Sequence, residues 1–487
     1  AYATPMRLER MRANLWRGTV TPLPQSFTLF LRVRRNEEGQ WVGAFRNPEF
    51  NMNGGVSRFP IARDGAAIAF TAPDGGDRRE AEISPGGDRV RLAWPPLPVP
   101  LELSRGDENA AGYLPRPGDA MAYVYAPPAR LSDGWTTARA GATGFEESAL
   151  AELVRRIASG DLAARRPQLI HSLLVARRGR LVLEEYFHGF DRETPHDIRS
   201  AGKTFASVLL GAAMHQSVRL GPETRIYDLL QARGRFANAD ARKSQITLAQ
   251  LMTHSSGLAS NDYDDASPGN EGAMQGQSEQ LDWWRFALDL PMAHDPGVRY
   301  AYCSAGTNLV GAALHAATGE HIPNLFDRLV ARPLRFGRYH WNLMPNGEGY
   351  LGGGVYMRPR DLLKIGQLYL NGGVWNGRRV VSNAWVSQST APHVEINEVT
   401  TGLDAATFAN VAIRGADGYG WHRYGVRVGD RVLESYEANG NGGQFLIVVP
   451  EHELAVVLTG GNYGQGGIWN RWRDEIVGAG IVAALRD

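Results

Sequence analysis

The period of apolar and polar positions changes along this chain. From residue 25 to about 125, short apolar–polar alternations dominate. Ser26–Arg34, Trp41–Phe45, Ile68–Thr71 and Arg89–Trp94 read as strands, separated at hairpin distances by Gly, Asp and Asn clusters. Prolines between Pro95 and Pro100, and again at Pro127 and Pro128, close this region. The pattern predicts a small antiparallel barrel or sandwich within residues 1–140, ending in a Pro-rich linker. Beyond Phe145, Glu146–Ile157 has the 3.6-residue period of an amphipathic helix. Ser172–Phe187 returns to strand patterning and turns at Arg178-Gly179. Gly443–Val449 and Leu454–Thr459 form a second hairpin around Pro450–Glu453, and a closing helix is expected over about 467–485. Residues 141–487 therefore begin helix–hairpin and end hairpin–helix. This predicts an α/β (α+β) unit in which both hairpins share one antiparallel sheet, with a helical insertion over about 215–400.

Composition narrows the function classes. Net charge is +1 with no run of like charges, which removes the usual footprint of nucleic-acid or anionic-membrane binding. No apolar run reaches the ~18 residues of a membrane span. The single cysteine, Cys303, excludes an internal disulfide and a cysteine-rich zinc site. The chain starts Ala-Tyr-Ala without methionine, which fits a processed, periplasmic or secreted protein better than a cytoplasmic one.

The candidate chemistry lies at Ser200-Ala-Gly-Lys203. Only three lysines occur, and this is the one Ser-x-x-Lys in the chain. On a helix, residues three apart share a face and a long side chain leans toward the N-terminus, so Lys203 would lie over Ser200. A serine hydroxyl needs a neighbouring base to become a nucleophile, and a desolvated lysine can serve. Ile198, Phe205, Val208, Leu209 and Leu210 supply apolar flanks. The bland alternative is a capping serine followed by a surface lysine.

Four further blocks follow in a recognisable order. Leu251-Met-Thr-His-Ser-Ser-Gly-Leu258, Tyr300-Ala-Tyr-Cys-Ser304, Gly352-Gly-Gly354 with Arg360-Asp-Leu362, and Asn439-Gly-Asn-Gly-Gly-Gln444 accompany the Ser200 tetrad. Together they resemble the motif set of serine β-lactamase-related hydrolases, the class C β-lactamase-like and penicillin-binding-protein-like family that includes carboxylesterases and 6-aminohexanoate-dimer hydrolase-like enzymes. The resemblance covers roughly the last 70% of the chain and implies a β-lactamase/transpeptidase-like fold. It also implies roles: Ser200 as nucleophile, Lys203 as its activator, Tyr302 as proton carrier, and the backbone N–H groups of Ser200 and Gln444 as the oxyanion hole. Ser304, Asn441, Gly442, Gly443 and Tyr263 would contact substrate. No metal and no organic cofactor are implied. The expected partner is a small-molecule ester or amide, with a homo-oligomer left open.

Two departures shape the substrate expectation. Ser304 stands where the second box usually ends in Asn, and uncharged Asn441 where the third usually begins with Lys or His. Loss of that cation argues against penicillin-like carboxylates and for a neutral ester or amide. The function expected is thus a carboxylesterase or amide hydrolase working through an acyl-enzyme on Ser200. The alternatives are a D-amino-acid peptidase, penicillin-binding protein or β-lactamase, and a non-turnover sensor on the same fold. His254 is expected to brace a loop and Cys303 to be a buried filler. Trp283 and Trp284 fit an acyl pocket or the core equally. Asp262, Asp264 and Asp265 read as a solvated acidic loop rather than a calcium site. No Gly-x-Ser-x-Gly elbow occurs, which disfavours an α/β-hydrolase.

Overall fold

A computed structural model describes residues 1–23, 28–47, 58–71, 78–93, 98–107, 112–160, 167–277, 281–405 and 415–486. Ser26 and Phe27 of the first expected strand, and residues 94–97 before the linker, lie outside the described residues.

The alternating pattern after residue 25 folds into one seven-stranded antiparallel meander running from Phe30–Arg35 to Leu101–Ser104 in chain order. Its apolar positions collect on one face around Phe45, Phe59, Ile68, Phe70, Ala81 and Leu92. The expected barrel or sandwich is thus a single sheet whose two edge strands are not paired to each other among the described residues. Residues flanking this sheet belong elsewhere. Tyr2–Ala3 pairs with Trp341 and Asn342 in a separate four-stranded sheet. Tyr125 and Trp135 are buried in the two cores of the following unit.

That unit is a sheet between two helical layers. Its strands are β1 (Ile170–Arg177), β2 (Arg180–Tyr186), β3 (Val394–Ile396), β4 (Gly415–Asp417), β5 (His422–Arg423), β6 (Tyr436–Gly440), β7 (Gln444–Val449) and β8 (Leu454–Gly460). Across the sheet the order is β2-β1-β8-β7-β6-β5-β4-β3, and the short strand Thr136–Thr137 lies parallel to β2. As expected, both hairpins share this sheet. β7 and β8 are buried at every position, so their side chains serve two cores in alternation. Leu446, Val448, Ala455 and Val457 face one; Phe445, Ile447, Val449, Leu454, Val456 and Leu458 face the other.

The first core is covered by α2 (Thr204–His215), α3 (Ser304–Thr318) and α4 (Pro359–Leu370). The second is covered by α1 (Glu147–Ala158) and the closing segment Arg473–Ile481. α1 buries Leu150, Leu153, Val154 and Ile157, the i, i+3, i+4, i+7 set its sequence carries, and has Glu147 in its first turn and Arg155 and Arg156 in its last. The β1–β2 turn places Arg178 at φ 50° and Gly179 at φ 75°, both left-handed, matching the twist of a two-residue hairpin. The closing helix is broken into Gly466–Trp469, the wide-pitch Arg473–Ile481 and Val482–Ala484. Gly478 marks the close approach there: a Cβ would lie 2.0 Å from the Arg427 carbonyl.

A buried histidine cluster ties the meander to this unit. Arg46 of the meander meets His188 Nδ1 at 2.8 Å and donates to the Tyr113 carbonyl at 2.6 Å. His196 Nδ1 lies 2.9 Å from the Asp197 carbonyl and its Nε2 is 2.8 Å from His171 Nδ1. The proton on His196 must therefore be on Nδ1, and that on His171 also on Nδ1. Burial holds His171 and His188 well below the ordinary imidazole pKa and takes His196 down to about 4. These rings are neutral when folded but protonate near pH 6.5 when unfolded. Their contribution is complete above pH 6.5 and is lost as pH falls toward 4. The thermal midpoint is expected to drop across that window, with a shallower slope in His171→Phe. Equal slopes in the two proteins would show that the cluster does not govern acid stability.

Candidate active site

Ser200 and Lys203 sit on a single tight turn, Arg199–Lys203, that feeds directly into α2. The turn is 3₁₀ rather than α, a geometry in which residues three apart eclipse one another. Lys203 Nζ is 3.0 Å from Ser200 Oγ and 2.6 Å from the Gly352 carbonyl, and the residue is only 4% exposed. Arg199 enters the turn at φ 49°, a left-handed conformation that a non-glycine residue adopts at a cost of order 1–3 kcal/mol. The Gly352–Gly354 block packs behind it. A Cβ on Gly353, at φ 150°, would lie 3.1 Å from the Arg199 carbonyl.

The second block delivers Tyr302 to the same place. Its hydroxyl lies beside Ser200, and Lys203 Nζ lies 4.8 Å from its ring centre. Burial pushes the phenol well above its ordinary pKa. Ser200 opposes this by favouring the phenolate, and the smaller effects of the Asp262, Glu271 and Asp417 charges add to the burial. His254 packs on the Tyr302 ring at 4.5 Å between centres, takes the Cys303 N–H on Nδ1 at 3.2 Å and donates nothing to the nucleophile turn. It braces the loop, as its place in the sequence suggests. Cys303 does more than fill space. Its sulfur caps α3 by accepting the Gly306 N–H at 2.9 Å, and burial lifts its thiol to about 12.

The acidic loop separates into two kinds of residue. Asp264 and Asp265 are exposed. Asp262 instead accepts both the N–H and the hydroxyl of Ser304, at 2.7 and 2.6 Å, and the Glu271 N–H at 2.9 Å. It clasps the second block to the loop, a role that the run of like acids concealed. Ser304 consequently has no exposed surface, and its hydroxyl is committed to Asp262 rather than to the cleft. Tyr263, 63% exposed, lies 5.4 Å from Tyr302 between ring centres. Trp283 and Trp284 are part of the core.

The β6–β7 tip closes the site, and its glycines divide the work. Gly440 lies against the Ser200 turn: a Cβ there would be 2.5 Å from the Ile198 carbonyl and 3.0 Å from the Ala201 nitrogen. Gly442, at φ 99°, faces Tyr463, and Gly443, at φ 94°, faces Trp472, where a Cβ would be 2.1 Å from the indole. The close approach to the Ser200 turn belongs to Gly440, which the motif pattern does not single out. Asn441 accepts the Gly464 N–H at 2.7 Å, and the Gln444 side chain binds the Gly460 carbonyl at 2.7 Å.

One wall of the cleft carries charge that no motif announced. Asp417 and His422 pair across β4 and β5, with Oδ1 and Nδ1 2.6 Å apart. His422 is 6.4 Å from Tyr302 and 5.1 Å from Tyr424 between ring centres. Glu437 of β6 is bound bidentately by Arg473 at 2.5 and 2.6 Å and takes the Asn439 amide at 2.9 Å. Among the described residues no group of three or more His, Cys, Asp or Glu is arranged to hold a metal ion.

A sheet between helical layers, with Ser-x-x-Lys on the turn into the central helix, defines the β-lactamase/transpeptidase fold. The family model described as Beta-lactamase matches residues 161–469, more than half of the chain, and the protein belongs to that family. Members of this fold family are serine hydrolases. The chain is 26% identical over 248 residues to the 6-aminohexanoate-dimer hydrolase of Paenarthrobacter ureafaciens, covering 47% of this chain and 60% of that enzyme. Its fold is similar to a penicillin-binding-protein homologue from Caulobacter crescentus (TM-score 0.52, 14% identity, 69% of this chain and 97% of that one). It is also similar to EstCE1, a hydrolase with promiscuous acyltransferase activity (TM-score 0.50, 16% identity, 68% and 97%).

Gly440→Ala tests the strand contact. The added methyl must push β6 off the nucleophile turn, and misplacement on the scale of 1 Å costs about 100-fold in rate. A loss of that order in p-nitrophenyl ester hydrolysis is expected, with the far-ultraviolet circular dichroism spectrum kept. Unchanged turnover would mean that the β6 contact does not set the site's geometry.

Proposed function

We propose that this protein cleaves a neutral ester or amide through a covalent acyl-enzyme on Ser200. The observation that carries the reading is the 3.0 Å contact of buried Lys203 Nζ with Ser200 Oγ, with the Tyr302 phenol beside the same serine. Lys203 keeps one N–H on the Gly352 carbonyl and takes the Ser200 proton as Oγ attacks the substrate carbonyl carbon. Tyr302 is held as a neutral phenol, so it works as a relay: it hands its proton to the leaving group and is refilled from Lys203. The oxyanion faces the Ser200 N–H and an N–H of the β6–β7 tip, where the motif resemblance points to Gln444. Such a donor is worth about 2.7–4 kcal/mol.

The uncharged Asn441, engaged with Gly464, supports a neutral substrate over a penicillin-like carboxylate. Tyr263, exposed above Tyr302, is the residue best placed to meet the chain on either side of the scissile bond. Similarity to a 6-aminohexanoate-dimer hydrolase supports a linear amide as a candidate alongside esters.

Intact-protein mass after exposure to a fluorophosphonate is expected to show one adduct, on Ser200, absent in Ser200→Ala. Tyr302→Phe is expected to lower kcat for p-nitrophenyl butyrate by about 100-fold or more with little change in KM. A lasting penicillin adduct with negligible ester turnover would replace this reading with that of a penicillin-binding or sensor protein.

A further inference from the structure

Two histidines flank Tyr302, and their hydrogen bonds fix them in opposite tautomers. His254 receives the Cys303 N–H on Nδ1, so its neutral ring carries the proton on Nε2 and can only donate there. His422 has Asp417 Oδ1 at 2.6 Å from Nδ1, so its proton is on Nδ1 and the lone pair of the neutral ring is on Nε2. No described residue occupies His422 Nε2 in a hydrogen bond. The ring centres of His422 and Tyr302 lie 6.4 Å apart, near enough for one water to bridge the two side chains. That water would lie beside the phenol that touches Ser200.

We infer that His422, aligned by Asp417, is the base that activates water to hydrolyse the acyl-enzyme; the inference rests on the acyl-enzyme reading above. In this step a water proton moves to His422 Nε2 while the water oxygen bonds the acyl carbonyl carbon. The tetrahedral intermediate then collapses and the bond from that carbon to Ser200 Oγ breaks. Oγ takes a proton from the Tyr302 hydroxyl, and Tyr302 is refilled by the proton on His422 Nε2 through a water. The products are a carboxylic acid and free serine, with no net proton change at the enzyme. Asp417 is a positioning residue: it sets the tautomer and holds the ring.

The groups around His422 agree with such a role. Burial pulls its pKa down, but Asp417 on the paired strand and Glu437 across β6 outweigh this and Arg473, leaving it above the ordinary 6.5. His254, Tyr302 and Tyr424 are the other titratable groups that face it. The base form of His422 therefore fills as pH rises through a value above 6.5, and kcat should rise with it.

Pre-steady-state hydrolysis of p-nitrophenyl butyrate by the full chain separates the two half-reactions. In His422→Asn a nitrophenol burst equal to the enzyme concentration is expected. Steady turnover should then be lowered about 100-fold, the acyl adduct should persist by intact mass, and added imidazole should restore part of the rate. In Asp417→Asn the rising limb of kcat is expected at lower pH than in the wild type. The inference is overturned if His422→Asn turns over normally, if it loses the burst in proportion to turnover, or if the Asp417→Asn limb does not move. Failure of wild-type Ser200 to take the fluorophosphonate is a different result: it removes the acyl-enzyme reading itself.

Discussion

A lysine amine out of water must find polar partners, and at Lys203 that requirement organises the site. Its two partners, Ser200 Oγ and the Gly352 carbonyl, come from segments about 150 positions apart in sequence, and the residue is 4% exposed. An unmet buried polar group costs roughly 1–3 kcal/mol, so the loop carrying Gly352 is held against the Ser200 turn whenever α2 is in place. The close packing of Gly353 on Arg199 follows from that contact, because any side chain at Gly353 would wedge the two segments apart. The left-handed Arg199 is likewise tolerated only because the surrounding contacts over-determine it.

The two cores explain why this arrangement is rigid. α2 is apolar over almost its whole circumference and is buried among α3, α4 and one face of the sheet. A helix of that kind has no solvent face to turn toward, so the turn at its start is fixed in rotation as well as in position. The β6–β7 tip is fixed from the opposite side, where Gly443 lies on Trp472 of the second core. Ser200 thus stands where the termini of elements from both layers converge, and small errors in either layer would be felt at its hydroxyl.

What was legible in the sequence divides by range. Both hairpins, α1 and the joining of the hairpins in one sheet followed from periodicity and turn residues, because those signals are local and strong. The 3₁₀ turn at Ser200 was not legible: the tetrad spacing is compatible with α and 3₁₀ alike, and Gly353 behind it decides. Asp262 was misread for a physical reason. Next to Asp264 and Asp265 it looks like one solvated acid among several, and only the fold brings Ser304 and Glu271 to its oxygens. The glycines of the strand tip were recognised as a group, but which one meets the Ser200 turn depends on the hairpin connection that places Gly442 and Gly443 at positive φ. The four-stranded sheet joining Tyr2–Ala3 to Tyr339–Asn342 depends on pairing across more than 300 positions, which no local pattern reports.

The electrostatics of the cleft set a limit on how protons move in it. Asp262, Glu271 and Asp417 all disfavour a phenolate at Tyr302, and burial disfavours it further. Ser200 opposes them by hydrogen bonding, and Lys203 Nζ lies 4.8 Å from the phenol ring centre, held by the Gly352 carbonyl and Ser200. A standing phenolate is therefore the wrong ground state for this site. Tyr302 is better described as a neutral hydroxyl that accepts and donates in the same step, so each proton it passes on has to come from, and end on, a neighbour. In the proposed acylation that neighbour is Lys203. The opposite side carries His254, whose Nδ1 is occupied by a backbone N–H, and His422, whose Nδ1 faces a carboxylate. The same ring type thus has opposite hydrogen-bonding character at two points around one phenol, and backbone and strand pairing, not the imidazoles themselves, assign which is which.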